Sequence, residues 1–522
     1  MTRKILWPVL YVCVPLAIIV GYLLATPDDF VSFGIMGFVL LGLCIPILLR
    51  WHFEILIVSW NAALVLFFLP SRPYLWMLMS CVTLFIAILR RAMFRTARSY
   101  QVSLVTWPLL ALLGVVFLTG FSTGGMGLKS FGSQTFGGKG YFHILVAVIG
   151  YFALASHRIP QQHARVYVVL FFLSGLTAVV SNLAYVAGPG FYFLYNFFPA
   201  ELAADQAVVS EGFSTSAILR VTGLTFACIA LFTALMAQGS LRQILDIRRP
   251  WKLILLALAV LASLLGGYRS VVIIFSLIFV FVFFLERLHR TQVFPRLLMA
   301  SVIGAVAVLP VLHKMPLSIQ RAVSFLPVNV DPIARSDAGA STQWRLDMWK
   351  ILLPQIPQYL LKGKGYTIDP GHLYMAEQLA ASGNGSTIDV AILSGNYHNG
   401  PLSALIPFGI FGFLSFIWFL WAGGRMLYCN YRWGDPSLRH FNTFLLVYYL
   451  AKVVFFFLVV GQLNSDLFFF TGLIGLSISL NGGMKKPSPA MSAESRSGPL
   501  SKINLRSRIT EPLGTVAHQN HV

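Results

Sequence analysis

Four groups of residues in the second half of the chain have side chains suited to holding an anion or moving a proton. Arg269 stands in Gly266-Gly267-Tyr268-Arg269-Ser270, a turn with almost no polar length between two apolar runs. A guanidinium so near hydrocarbon either snorkels to lipid headgroups or forms an anion site at the membrane surface. Arg345 lies in Trp344-Arg345-Leu346-Asp347-Met348-Trp349-Lys350-Ile351-Leu352-Leu353, which is stopped by Pro354. Trp344, Met348, Ile351 and Leu352 share a face at helical spacing, which predicts a short interfacial helix. Arg345 either anchors that helix to headgroups or stacks on its i,i+4 neighbour Trp349 as part of a site. Lys362-Gly363-Lys364-Gly365-Tyr366 is a basic turn, either a plain one or one whose glycines let backbone amides approach a phosphate. Its spacing is not that of a nucleotide-binding P-loop. His398 precedes Asn399 at the entrance of an apolar run. It is either a structural interface histidine or a base, since a neutral imidazole accepts a proton near neutral pH and Asn399 or a nearby carboxylate can orient it.

All of these groups except Arg269 lie in the mostly polar segment 313–400, set in a chain that otherwise alternates apolar runs with short connections. Long connections without a fold of their own are uncommon and usually functional. Of the 522 residues 57% are hydrophobic and only 11% charged, with mean hydropathy +0.76. A soluble protein is nearer 25% charged, so the chain reads as one polytopic membrane body with about 14 candidate spans of apolar length. They begin near Ile5, Phe30, Phe53, Tyr74, Val102, Tyr141, Val166, Val221, Trp251, Val271, Leu297, Pro401, Asn442 and Asp466. The formal charge of +20 needs no nucleic acid as partner, because positive-inside topology produces such an excess. Arg50, Arg90, Arg91, Arg158, Arg248, Arg290, Arg425 and Arg432 fall on the side of the N-terminus when that end is cytoplasmic. The tail adds more, and segment 313–400 is then external. The expected organisation is residues 1–312 as eleven spans, 313–400 as a large external loop, 401–480 as three more spans, and 481–522 as a disordered cytoplasmic tail.

The five cysteines show no disulfide framework, since none lies in the long loop. Apart from His313 and His372 the loop offers no partner to His398, and no metal-ligand spacing appears. No Asp-x-Asp pair of the kind that holds a cation for nucleotide sugars occurs anywhere. Neither a metal nor another cofactor is therefore expected. Two further outer stretches stand out. Residues 122–140 are glycine-rich, either a flexible linker or a mobile cover. Phe191, Tyr192, Phe193, Tyr195, Phe197 and Phe198 read as an aromatic belt at the interface.

Taken in order, these motifs resemble the O-antigen ligase/O-antigen polymerase superfamily of bacterial membrane glycosyltransferases. The markers are Gly267-Tyr268-Arg269-Ser270, then Arg345 to Trp349 followed by Gly363-Lys364-Gly365, then His398-Asn399 followed by Gly409 to Gly412. The resemblance spans roughly Leu253 to Leu420. It implies an all-α integral membrane fold, GT-C-like, with short helices in the periplasmic loop, in the bacterial inner membrane. It also implies metal-independent, inverting transfer of an undecaprenyl-diphosphate-linked glycan to a hydroxyl acceptor, in O-antigen or exopolysaccharide biosynthesis. The acceptor would be a glycan, lipid A-core or protein; the span count leans towards a polymerase over a ligase. On this resemblance Arg269 and Arg345 grip the diphosphate and His398 is the general base. Arg321, Trp349, Gly363, Lys364, Gly365 and Asn399 line the substrate site. Membrane lipids and a chain-length regulator are the other partners implied. A flippase for the same lipid-linked glycans, a protein O-oligosaccharyltransferase and a structural scaffold are the alternatives. Lys452, inside a span, is the main cue for transport.

Overall fold

Hydrocarbon offers no partner to an unpaired backbone amide, so apolar runs of this length become helices. The structure, a computed structural model, describes residues 30–69, 71–94, 99–124, 137–210, 218–246, 250–381 and 387–487, with Ile18, Gly21 and Arg248. The expected first span, most of the glycine-rich stretch and the tail beyond 487 lie outside the described residues.

The protein is an all-α membrane protein. In chain order its helices are α1 (Phe30–Ser59), α2 (Leu75–Met93), α3 (Ser103–Thr123), α4 (Gly138–Leu154), α5 (Gln161–Ala187), α6 (Glu201–Ser210), α7 (Thr222–Ala237), α8 (Pro250–Leu265) and α9 (Arg269–Leu285). They continue with α10 (Val293–Lys314), α11 (Leu317–Val323), α12 (Pro332–Leu352), α13 (Ile356–Tyr359), α14 (Pro370–Ala381), α15 (Thr387–Leu393), α16 (Gly400–Trp433), α17 (Pro436–Leu458) and α18 (Leu463–Asn481). Seven of these are long and apolar enough to cross a membrane, and α4, α7, α8 and α9 are shorter apolar helices. α10 exposes Leu298, Val302, Ile303 and Val306 on an almost bare surface, which only a lipid surrounding satisfies.

α4 and α18 pack closely at the centre, where Gly472 and Gly150 both lie against the buried Trp60. Small residues permit such approach where lipid supplies no hydrophobic drive. At the end away from segment 313–400, buried Asn442 and Asn481 exchange amide hydrogen bonds of 3.0 and 2.8 Å, and Asn442 also donates to Asn430 O at 3.1 Å. These bonds tie α16, α17 and α18 together.

The expected third span, from about Phe53, differs from a separate helix. α1 runs on to Ser59, and the described residues from there to Tyr74 form no helix and carry a bridge between Val65 and Tyr74. Non-helical backbone at membrane depth needs partners inside the protein, and it has them. Val65 N donates to Phe197 O at 2.8 Å, Ala63 N to Thr177 Oγ1 at 2.8 Å, and Asn61 Nδ2 to Phe171 O at 2.7 Å. The facing stretch of α5, Ser174–Ala178, tightens in response.

α16 is kinked. Gly409 has φ 63° and ψ −167°, two residues after Pro407. The turn after α13 fills the gap: Lys364 N donates to Ile406 O, Gly365 N to Pro407 O (both 2.9 Å), and Ile410 N to Leu360 O at 2.7 Å. The Gly-x-Gly turn and the Gly-x-x-Gly motif are thus two halves of one joint, which holds residues 400–408 as a stub. Alanine at 409 would set its Cβ 2.6 Å from Leu360 O in a left-handed backbone. Gly409→Ala is expected to cost about 1–3 kcal/mol, read as a lower melting temperature of the purified protein; an unchanged melting curve would show that the joint tolerates a side chain.

Candidate active site

The stub ends at His398. Three contacts set its place. Asn399 caps α16, its Oδ1 accepting from Leu402 N at 3.1 Å. Before it, the carbonyl of buried Tyr397 accepts from Trp349 Nε1 at 2.9 Å. Between them His398 has φ 47°, a left-handed conformation that costs a non-glycine residue energy and marks a site held by its surroundings. The half-buried imidazole meets the edge of Trp344 at 5.4 Å between ring centroids. Trp344 is itself fixed by donating Nε1–H to Thr387 Oγ1 at 2.9 Å.

α12 supplies Trp344, Arg345 and Trp349 from one helix. It begins earlier than the sequence reading placed it, at Pro332, with Asp331 capping through a 2.8 Å bond from Ile333 N. Two residues of its apolar face, Met348 and Leu352, are buried with Tyr397 and with Leu402 and Ile406 of the stub, while Ile351 stays exposed. The helix is therefore clamped to the His398 end of α16. Trp349 serves that clamp, so the expected stacking on Arg345 is replaced by its bond to Tyr397 O.

Arg269, the first residue of α9, donates Nη2–H to Thr342 Oγ1 of α12 at 3.1 Å. Its charged neighbours are Arg321, Arg345, Asp337 and Arg220. The turn before it is fastened twice. Tyr268 OH donates to Asp205 Oδ2 at 2.9 Å and pairs with Thr222 Oγ1 at 2.8 Å; burial, with Asp205 adding to it, pushes its pKa up to about 12. Arg321 of α11 donates from Nη1 to Gly267 O and from Nε to Asp337 Oδ2. The same carboxylate oxygen accepts from Arg220 Nη2 at 3.2 Å.

The structure brings Arg269, Arg345, Arg321 and His398 together. Arg220 and Arg321 bond the Asp337 carboxylate, Arg269 lies within its field, and Arg345 lies within the field of Arg321 and Arg220, leaving a local excess of positive charge. Burial, followed by the charges of Arg321 and Arg220, presses the Arg345 pKa downward. A guanidinium does not give up its proton in this range, so Arg345 stays charged beside Arg321 and Arg220. Burial and then Arg345 lower the His398 pKa from its ordinary value, which keeps the imidazole neutral and able to accept a proton.

Three expectations need correction. Arg321 is 3% exposed, with its guanidinium turned to Gly267 O and Asp337, so it adds charge and props the turn rather than presenting donors to a ligand. Gly363 and Gly365 do not offer amides to a phosphate. Their N–H groups go to Tyr359 O and Pro407 O, both at 2.9 Å, and Lys364 N goes to Ile406 O. These residues, Lys364 included, lie at the kink about two helical turns along α16 from His398. Asn399 spends its carbonyl on the cap. Conversely, Arg220, Asp337 and Thr342 were missed. Asp337 and Arg345 are i,i+8 on one face, a relation visible once Asp331-Pro332 is taken as a helix start.

Residues 253–417 match the family model described as O-antigen ligase. Over this segment the chain is similar to the O-antigen ligase family. The match runs from α8 through the stub and the kink of α16, and so contains Arg269, Arg321, Asp337, Arg345 and His398, while Arg220 lies outside it. This segment relates the chain to the O-antigen ligase/polymerase superfamily, and with it to a ligase/polymerase type of function in glycan assembly. No curated protein matches the chain. Beside the joint at Gly409, an apolar groove of about 720 Å³ runs between α3 and α16, lined by Val115, Leu118, Phe411, Leu414 and Trp418 with Lys362 among the lining residues.

Proposed function

We propose that the protein is a glycosyltransferase whose arginine cluster binds the diphosphate of an undecaprenyl-linked glycan on the periplasmic face of the inner membrane. The single observation behind this reading is the juxtaposition of Arg269, Arg345 and Arg220 with the clamped imidazole of His398. The periplasmic orientation rests on the basic short connections at the other end of the bundle. His398 takes the proton from the acceptor hydroxyl, whose oxygen attacks the anomeric carbon. The bond from that carbon to the diphosphate oxygen breaks, its electron pair leaves with the diphosphate, and configuration inverts. The leaving group needs charge stabilisation rather than a proton, and guanidiniums supply it in the place a divalent cation would take.

The test is transfer by the purified protein with a lipid-linked donor, a hydroxyl acceptor and a chelator present. Gel analysis of the product then separates chain extension from attachment to lipid A-core or protein. The lowered pKa of His398 makes a further expectation. A base must be unprotonated, so kcat/KM should rise with pH through a single pKa below 6.5 and stay level above it. A limb above 6.5, or none, would remove His398 as the base.

A transporter for the same lipids is the second reading. It draws on the interrupted chain after α1 and on Lys452, whose ammonium sits 4.0 Å over the Phe469 ring near Asp466. Donor accumulating on the inner leaflet alone in a loss-of-function strain would favour it.

A further inference from the structure

We propose that Asp337 is a built-in counter-ion of the anion site, which Arg220 exchanges for the ligand's phosphate. The inference rests on the anion-binding reading above. One carboxylate oxygen serves two arginines of different kinds. Arg321 is buried and also fastened to Gly267 O, so it stays where it is. Arg220 is held by Asp337 at 3.2 Å, its side chain 29% exposed. It reaches the cluster from the segment before α7, outside the family match. Arg269 and Arg345, by contrast, make no ion pair among the described residues.

The consequence is electrostatic. Without a ligand, Asp337 offsets part of the repulsion among four guanidiniums and keeps Arg220 pointed into the site. When a diphosphate arrives beside Arg269 and Arg345, Arg220 is within the same field and can turn to it. Asp337 then becomes a like charge beside the ligand. It weakens the hold on diphosphate, which matters most after transfer, when the lipid diphosphate has to leave. Asp337 is in this sense a positioning residue that also limits product affinity.

Asparagine keeps one acceptor oxygen for Arg321 and Arg220 and removes the charge, its other oxygen being replaced by an amide nitrogen. Inorganic diphosphate binding to the full-length protein in lipid nanodiscs, measured by titration calorimetry, is the test. Asp337→Asn is expected to bind diphosphate about fivefold tighter, a modest change because the site is partly open to solvent. In turnover its KM and kcat should fall together, since product leaves more slowly. A side chain that merely braced the helices would give the opposite, a raised KM and weaker diphosphate binding. Asp337→Ser, a smaller neutral acceptor, should shift binding in the same direction and decides the matter if the asparagine variant does not fold. Equal or weaker binding by a folded neutral variant overturns the proposal. Arg269→Ala is the control for the reading beneath it: if that variant binds diphosphate as the wild type does, the anion site itself is wrong. If Arg269→Ala loses binding while the neutral variants at 337 match the wild type, only the counter-ion role falls.

Discussion

His398→Ala should leave a folded, membrane-inserted protein that transfers glycan about 10²–10⁴-fold more slowly, the usual contribution of a positioned general base. The fold should survive because the half-buried imidazole has Trp344 as its ring contact, while the stub is held by other residues. Asn399 caps it, Ser403 Oγ accepts from Leu463 N at 3.0 Å, and the joint at Gly409 fixes its far end. Because position 398 is left-handed, asparagine is the better companion variant, as it adopts that conformation readily and carries no base. Both variants should show wild-type protein level, lost polymer or conjugate, and donor accumulating on the outer leaflet. Single repeat units left on the acceptor would identify a polymerase, and a bare acceptor a ligase. Wild-type activity in either variant would exclude His398 from the chemistry.

Removal of the Arg345 or Arg269 guanidinium should cost about 10²–10³-fold in kcat, the scale of deleting one preorganised donor to a developing negative charge. Neither side chain holds the fold. Arg345 is half-buried on a helix packed by Met348 and Leu352, and Arg269 reaches only the exposed Thr342 hydroxyl among its hydrogen-bond partners. Lysine at either place should recover little, because an ammonium is a point charge without the planar fork that spans two phosphate oxygens. Steady-state kinetics separate the roles. A fall in kcat places the arginine on the leaving group in the transition state, whereas a raised KM with unchanged kcat would assign it to ground-state binding alone. Full activity of both alanine variants would remove the anion site.

Apolar run length and the scarcity of charge determined that this chain is an α-helical membrane protein, because hydrocarbon permits few other ways to satisfy a backbone. The local motifs Gly267 to Ser270, Arg345 to Trp349, and His398 with Gly409 to Gly412 were enough to relate residues 253–417 to the O-antigen ligase family. Side-chain type also showed which residues could hold an anion or accept a proton, since that chemistry belongs to the guanidinium and imidazole themselves. What each motif contacts was decided only by packing. The glycines of the turn at 363–365 look like phosphate-binding glycines in one dimension, but the Gly363 amide bonds Tyr359 O, and the amides of Lys364 and Gly365 close the kink in α16. Arg321 resembles Arg269 and Arg345 by type, yet burial turns it into a strut. Arg220 carries no local signal and Asp337 only its place on the Arg345 face of α12, and the two meet through a contact between residues 117 positions apart. Hydrogen bonds and charge act across a few ångströms of space, and sequence order does not encode which distant residues share those ångströms.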